Sequence, residues 1–423
     1  MTAETVRAAV DDAFRTEWGR VVATLIRVTG DWDLAEECAQ DAFAQALSTW
    51  PRDGVPGRPG AWLTTTARNR AMDRLRRGAV EAARLRALAT ELEALETPAP
   101  APDEVEMDPD TLDGGDAVPD DRLRLIFTCC HPALQLEARV ALTLRTLAGL
   151  TTPEIARAFL MPEATMAQRL VRAKRKIRNA KIPYRVPPAH LLPERTSAVL
   201  GVLYLLFNEG YSATAGADMI RQALTEEAIR LARVLAELMP DEPEARGLLA
   251  LMLLHDARRA ARLDDAGELV TLEEQDRSRW DRDRIAEALP LLAPDPGRSG
   301  PYQLQAAVAA CHANAARAAD TDWPRIAGLY TLLAKQVPSP VIELNRAVAI
   351  AMADGPRVGL ALVDEIAAAG SLPGYYLVPA TRADLLRRME RPDEARAAYR
   401  EALGLAPTDV ERRFLTRRLA ELG

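Results

Sequence analysis

The sequence predicts an all-α protein, and three observations carry that prediction. Ala, Leu, Arg and Glu dominate the 423 residues, while aromatic side chains make up only 5% and β-branched residues are sparse. Apolar residues recur at three- and four-residue spacings in stretch after stretch. Near the C-terminus one layout repeats, an amphipathic helix closed by an apolar residue and Pro, then a short polar turn and a new helix. At this length two or three domains with packed cores are expected.

The first part, residues 1–77, has helical periodicity from about residue 8. It is broken only by "WPRDGVPGRPG" (50–60), whose Pro and Gly predict a loop. The second part, 78–120, begins as a charged helix. It decays into "ETPAPAPDEVEMDPDTLDGGDAVPDD", a Pro-rich acidic linker with too little apolar content for a core. The third, 121–187, is a compact helical block. The fourth, 188–423, is helix after helix. Its repeat is seen in "ARVLAELMPDEPEARGLLALML" (232–253), "YTLLAKQVPSPVIELNRAVAIAM" (330–352) and "AYREALGLAPTDVERRFLTRRL" (398–419). The marker prolines Pro240, Pro338 and Pro407 are 98 and 69 residues apart, close to three and two periods of a helical-hairpin repeat of roughly 34 residues.

No run of eighteen apolar residues is present, and "MTAETVRAAVDDAF" lacks the layout of a signal peptide, so no membrane contact is expected. Four unevenly spaced cysteines make no disulfide framework and suit a reducing cytoplasm. The net charge of −7 conceals an asymmetry. Residues 165–181 carry seven Lys or Arg and no acid, whereas residues 91–121 carry twelve Asp or Glu and no base. A concentrated basic helix in an acidic chain points to local contact with a polyanion.

That basic helix belongs to the most specific local pattern, "GLTTPEIARAFLMPEATMAQRLVRAKRKIRNAK" (149–181). Thr151 and Glu154 are spaced as a capping box, and Pro153 suits a first helical turn. Ile155, Ala156 and Phe159 give the short helix an apolar face. Pro162 and Glu163 open a second helix in which Met166, Leu170, Ala173 and Ile177 form one buried stripe. The opposite face offers Thr165, Gln168, Arg169, Arg172, Arg175 and Lys176. Gln and Arg make bidentate contacts with base edges, and the further cations neutralise phosphates, so this helix-turn-helix suits the major groove.

Upstream, "GDWDLAEECAQDAFAQAL" (30–47) followed by "GAWLTTTARNRAMDRLRR" (60–77) resembles domain 2 of a bacterial RNA polymerase sigma factor of the extracytoplasmic-function (ECF, group 4) class. The helix-turn-helix block resembles sigma domain 4. The four parts then read as helical sigma domain 2, flexible acidic linker, helix-turn-helix sigma domain 4 and a TPR-like helical-hairpin array, as in a subfamily with such an extension. The resemblance implies that Glu37, Gln40 and Asp41, on one helix face, dock on the clamp helices of core polymerase, with domain 4 on its flap region. It further implies that Trp62, Arg68, Asn69, Arg70, Asp73, Arg74, Arg76 and Arg77 capture and melt the −10 element. The loop Pro51–Pro59 would supply a base pocket, and the recognition helix would read the −35 element. Leu160 and Ala164 stand where the family often has Gly, which implies a turn either more tightly packed or subtly re-aimed, with the −35 contacts altered accordingly.

The function implied is promoter selection and opening in transcription initiation, with the C-terminal array regulating the module in cis or holding a protein or peptide partner. No enzymatic step, cofactor or metal is expected of the chain itself. The alternative is a stand-alone helix-turn-helix activator with a ligand- or protein-sensing solenoid, which leaves the N-terminal motif pair unused. A thiol or metal enzyme would rest on "LIFTCCHPAL" (125–134) with the scattered His190, His255 and His312, and no paired CxxC or HExxH supports it. Leu123, Ile126, Phe127 and Cys130 share a helical face with Cys129 on its flank, and His131 before Pro132 ends that helix. These cysteines are therefore expected to be packing, as is Cys38. In "LYLLFNEGYSAT" (203–214), Gly210 is expected to cap a helix whose polar end is Asn208, Glu209 and Tyr211.

Overall fold

The computed structural model describes residues 3–93, 121–159, 161–211, 218–294, 296 and 299–422. Among them the chain is all-α, with a single isolated antiparallel bridge between Leu263 and Leu269 as its extended structure. It divides into two compact units, Met1–Val202 and Leu203–Gly423.

The first unit opens with α1 (Ala3–Thr29), α2 (Trp32–Asp53) and α3 (Pro59–Glu93). The Asp31 carboxylate caps α2, accepting from the backbone N–H of Asp33 at 2.8 Å and Leu34 at 3.1 Å. One stripe of α2 is buried: Trp32, Ala35, Cys38, Ala39, Ala42, Phe43, Ala46 and Trp50. It meets Val10, Val21 and Leu25 of α1 and Leu63, Ala67 and Ala71 of α3. Each large buried side chain contributes about 1.5–3 kcal/mol by leaving water. Cys38 lies in this core, a packing residue as expected. The predicted loop is shorter than the Pro and Gly content suggests. Pro51 sits in the last turn of α2, where a missing N–H costs one bond only, and Gly54 at φ +85° closes the helix onto the Trp50 carbonyl. The charged start of the second part continues α3 to Glu93. Residues 94–120, the Pro-rich acidic stretch, lie outside the described residues, as does Leu160.

The unit continues with α4 (Asp121–Cys129), α5 (Leu136–Thr146), α6 (Thr152–Ala158) and α7 (Glu163–Asn179), and takes in the first half of α8 (Leu192–Tyr211). Of these, α4 packs on α1, α5 packs on α4, and α6 and α7 pack on α5 and on each other. Gly149, at φ +77°, lies where a Cβ would come within 2.8 Å of the Phe14 ring and 2.9 Å of Trp18. Phe14, Trp18 and Phe43 themselves form an aromatic cluster with centroids 4.9–6.0 Å apart. Tyr184 donates to the Ala23 carbonyl at 2.8 Å. Its hydroxyl is pushed above the usual tyrosine range by burial, with Asp121 adding to the effect.

The second unit runs through α9 (Asp218–Leu238), α10 (Pro243–Asp256), α11 (Arg282–Ala288), α12 (Pro301–Asn314), α13 (Trp323–Gln336), α14 (Pro340–Asp354), α15 (Pro356–Ala368), α16 (Leu377–Arg388), α17 (Pro392–Leu405) and α18 (Asp409–Ala420). Successive helices pack on their chain neighbours, except that α12 packs on α10 instead of on α11. Each of the three Pro-marked segments spans a helix pair, α9–α10, α13–α14 and α17–α18, with the marker proline in the turn. Proline also stands in the first turn of α10 and of α12 to α15, where its lost N–H is free of an intrahelical partner. One apolar core joins α12, α13 and α14 around Leu304, Ile326 and Leu329, and another joins α14 to α18 around Val363, Leu386 and Tyr399.

Candidate nucleic-acid interface

The turn before α6 holds the capping box in full. The Thr151 hydroxyl accepts from the Glu154 N–H, and the Glu154 carboxylate accepts from the Thr151 N–H at 2.8 Å. Partial burial alone would raise the Glu154 carboxyl, but these bonds from Thr151, with Arg157 close by, bring it below its ordinary value. Pro162 takes the N-cap position of α7, so the second helix starts at Glu163 as the sequence indicates. Met166, Leu170, Ala173 and Ile177 are all buried against α5 and α6. Phe159 is half-buried.

With that stripe inward, Thr165, Gln168, Arg172, Arg175 and Lys176 are exposed and Arg169 is half-buried. Together they wall a groove of about 660 Å³ whose other side is the turn between α4 and α5, at Ala133, Leu134 and Gln135. Arg139 fixes that turn by donating to the carbonyls of Leu134 and Pro132, each at 2.8 Å. Lys174 points elsewhere: its ammonium pairs with Asp33 at 2.8 Å and Glu36 at 2.9 Å on α2. One of the seven cations of this segment is thus spent inside the unit.

The acidic trio and the cationic cluster of the N-terminal helices, two separate surfaces in the sequence, are brought together. Arg74 of α3 contacts Glu37 at 2.5 Å and Asp41 at 2.9 Å. Arg70 reaches Asp41 at 3.1 Å and donates to Gln45 at 2.8 Å. The hydrogen bond that Arg74 donates to Glu37, outweighing desolvation, holds the guanidinium above its ordinary pKa. Gln40, Arg68, Asn69, Asp73, Arg76 and Arg77 are exposed. Leu63 is fully buried, whereas Trp62 is half-buried, edge-on to Trp50 at 5.6 Å.

Sequence reasoning missed a second set of residues, which ties α5 to α2 and α4 to α1. Arg145 of α5 donates to Glu36 at 3.0 Å and to the Leu150 carbonyl at 3.1 Å. Arg27 pairs with Asp121 at 2.9 Å. Their partners lie some hundred residues away, so no local spacing announces them.

LIFTCCHPAL is a packed helix end. Cys129 and Cys130 are both buried. Burial pushes the Cys130 thiol up to about 11, and burial, with Cys130 adjacent, pushes Cys129 well above its usual value. His131 accepts the Ala133 N–H on Nδ1 at 3.1 Å and so serves the turn. Burial, then Arg195 and Arg139, pull its pKa down. His190 is exposed. In the second unit His255 and His312 pack edge-on against Tyr211 and Trp323. Among the described residues no three His, Cys, Asp or Glu side chains are arranged to hold a metal, and no helix is long and apolar enough to cross a membrane. Gly210 is not a cap, because α8 runs through it to Tyr211. Tyr211 stacks on Phe207 at 5.3 Å and lies under the Arg262 guanidinium at 4.1 Å. Ser212, Ala213 and Thr214 lie outside the described residues.

Comparison with known proteins bears on both helical blocks. Residues 14–80 match Sigma-70 region 2, and residues 124–177 match Sigma-70, region 4. Residues 195–294 match a family of unknown function (DUF6596). Over 415 residues the chain is 42% identical to an uncharacterized protein of Rhizobium meliloti (strain 1021), covering 98% of this chain and 96% of that one. No solved structure matches it.

Proposed function

We propose, for a chain that belongs to the sigma-70 family of RNA polymerase sigma factors acting in transcription initiation, the role of a dissociable ECF-type specificity subunit with a C-terminal regulatory array. The observation that carries this reading is the order of its parts: region 2 at 14–80, an acidic Pro-rich stretch, then region 4 at 124–177. Two promoter-binding modules on one tether are the minimum needed to hold both promoter elements. The stand-alone activator leaves region 2 without a task.

In this reading residues 1–77 bind core polymerase through Glu37, Gln40 and Asp41. They hold the unwound −10 strand with Trp62, Arg68, Asn69, Arg70, Asp73, Arg74, Arg76 and Arg77, since cationic grooves and aromatic faces suit single strands. Residues 78–120 are the tether. Residues 121–187 place α7 in the major groove at −35, with Thr165, Gln168 and Arg169 toward bases and Arg172, Arg175 and Lys176 toward phosphates. The polymerase performs the chemistry in the cytoplasm. This chain adds binding energy that favours the melted promoter. Residues 188–423, read as a TPR-like array, regulate the module in cis through a protein or peptide partner.

The experiment is direct. Purified protein is added to sigma-free core polymerase, and initiation from the promoters it occupies in cells is measured. Binding to duplex DNA without binding to core would sink the reading. Regulation in cis is tested with a chain ending at residue 202, which keeps the hydrogen bond from Arg195 to the Phe127 carbonyl. Unchanged transcription from that chain removes the regulatory role.

A further inference from the structure

Residues 263–275 form the one hairpin among the described residues of a helical protein. Its backbone is closed by the Asp264 N–H on the Glu268 carbonyl and the Val270 N–H on the Arg262 carbonyl, each at 2.9 Å. Asp264 also accepts from the N–H groups of Ala266 and Glu268, and Gly267 takes the turn at φ +78°. The segment is therefore shaped largely by bonds of its own.

What holds it to the rest of the second unit is ionic. Glu268 meets Arg413 at 2.6 Å, Glu273 meets Arg388 at 2.5 Å, and Glu274 meets Arg418 at 2.5 Å. Arg417 donates to the Leu269 carbonyl at 2.9 Å. Arg388 comes from α16 and the other three arginines from α18. The carboxylates retain 25–45% of their side-chain exposure, and Leu263, Leu269, Val270 and Leu272 are only half-buried. Exposed pairs of this kind contribute about 0–1 kcal/mol each. Lifting the segment is then a local opening, far less costly than unfolding the unit.

Beside the hairpin a groove of about 340 Å³ stays open, floored by Val348 and Met352 of α14, Leu385 of α16 and Phe414 of α18, with Trp323 at its side. That volume is in the range of ligand-holding clefts. Removing the hairpin would leave Arg413 and Arg417 without the partners it supplies, and Arg388 and Arg418 each with one remaining carboxylate, Asp384 and Glu421, beside an apolar floor, a surface that suits carboxylates spaced around an aliphatic side chain.

We propose that the groove of α14, α16 and α18 is a docking site for an extended acidic segment of a partner protein, and that the hairpin 263–275 is a built-in occupant which that segment displaces. The proposal rests on reading residues 188–423 as an interaction module. Its test involves no transcription, so its failure leaves the sigma-factor assay untouched.

The probe is a fluorescent peptide of the hairpin sequence, DDAGELVTLEEQ (264–275), titrated by anisotropy into the full chain. In the triple variant Glu268→Gln, Glu273→Gln, Glu274→Gln the tethered competitor is weakened, and the peptide binds about tenfold or more tighter than to the unmodified chain. Adding Arg388→Glu and Arg418→Glu to that variant abolishes binding. A folded triple variant that binds no better than the unmodified chain overturns the proposal, and so does equal binding of a peptide with Gln in place of every Glu and Asp. If the triple variant does not fold, hydrogen exchange on the unmodified chain decides. The Gly267 and Val270 amides should exchange at least tenfold faster than those within α14 and α16. Equal protection would make the hairpin a fixed part of the fold.

Discussion

Arg145 Nε donates to Glu36 Oε2 at 3.0 Å, with the carboxylate side chain 7% exposed and the guanidinium 17% exposed. Glu36 also receives Lys174 from α7. One α2 carboxylate thus neutralises a cation from each of two helices of the helix-turn-helix block. Removing one member of a buried ionic group leaves the others desolvated and unpaired, which costs about 3–5 kcal/mol. Glu36→Ala should therefore lower the urea midpoint of the first unit markedly, whereas Asp33→Ala, whose side chain is 72% exposed, should leave it nearly unchanged. Equal effects from the two would refute a buried anchor.

Arg74 offers a contrast. It pairs with Glu37 and Asp41 while keeping 35% of its side-chain exposure, so Arg74→Ala should change stability by under about 1 kcal/mol. If the side chain also meets the melted strand, promoter opening by the variant holoenzyme, followed by permanganate reactivity of unpaired thymines, should drop at least severalfold. Full opening would take Arg74 out of the DNA interface.

Along α7 the two kinds of DNA contact should separate in binding measurements. Arg169→Ala, beside the groove, is expected to cost about 1–3 kcal/mol on the cognate −35 sequence and to blunt discrimination among sequences. Lys176→Ala should weaken every duplex alike and reduce the salt-dependence exponent by about 1. The assignment of bases and phosphates reverses if the two variants exchange these signatures.

The cysteine pair of α4 should be chemically silent. With both thiols buried and held above their ordinary pKa, iodoacetamide at pH 8 should label neither until the chain is unfolded. Cys129→Ser combined with Cys130→Ala should still support initiation. Rapid labelling of the folded protein, or zinc that is lost with the pair, would reopen the case for a reactive site.

His255 gives the second unit an acid-sensitive element. Burial, then Arg258, Arg262 and His312, lower its pKa to about 3, and burial with Arg258 and Arg277 lowers that of His312 to about 4. Both are bases depressed on folding from an ordinary value of 6.5. The unfolded chain therefore takes up protons first as pH falls. Their stabilisation is complete above pH 6.5 and is lost progressively toward pH 4 and then 3. His255→Gln should remove close to one proton from the linkage, about 1.4 kcal/mol per pH unit, in unfolding measurements between pH 6 and 4.5. An unchanged slope would mean that His255 is not held neutral.

The sequence by itself determined the helices, the capping box, the stripe Met166–Leu170–Ala173–Ile177, the packing role of the cysteines and the motifs that mark regions 2 and 4. All of these rest on interactions within three or four residues, or on short patterns that read the same in any context. It misplaced the end of α2 and the role of Gly210, because one proline or glycine near a helix end fixes a boundary only to within a turn. The packing of distant segments is what brings Arg145 and Lys174 to Glu36, Arg74 to Glu37 and Asp41, and an acidic hairpin onto arginines more than a hundred residues away. An arginine fork accepts any carboxylate brought within reach, so its choice of partner is written in the packing of helices and in no local spacing.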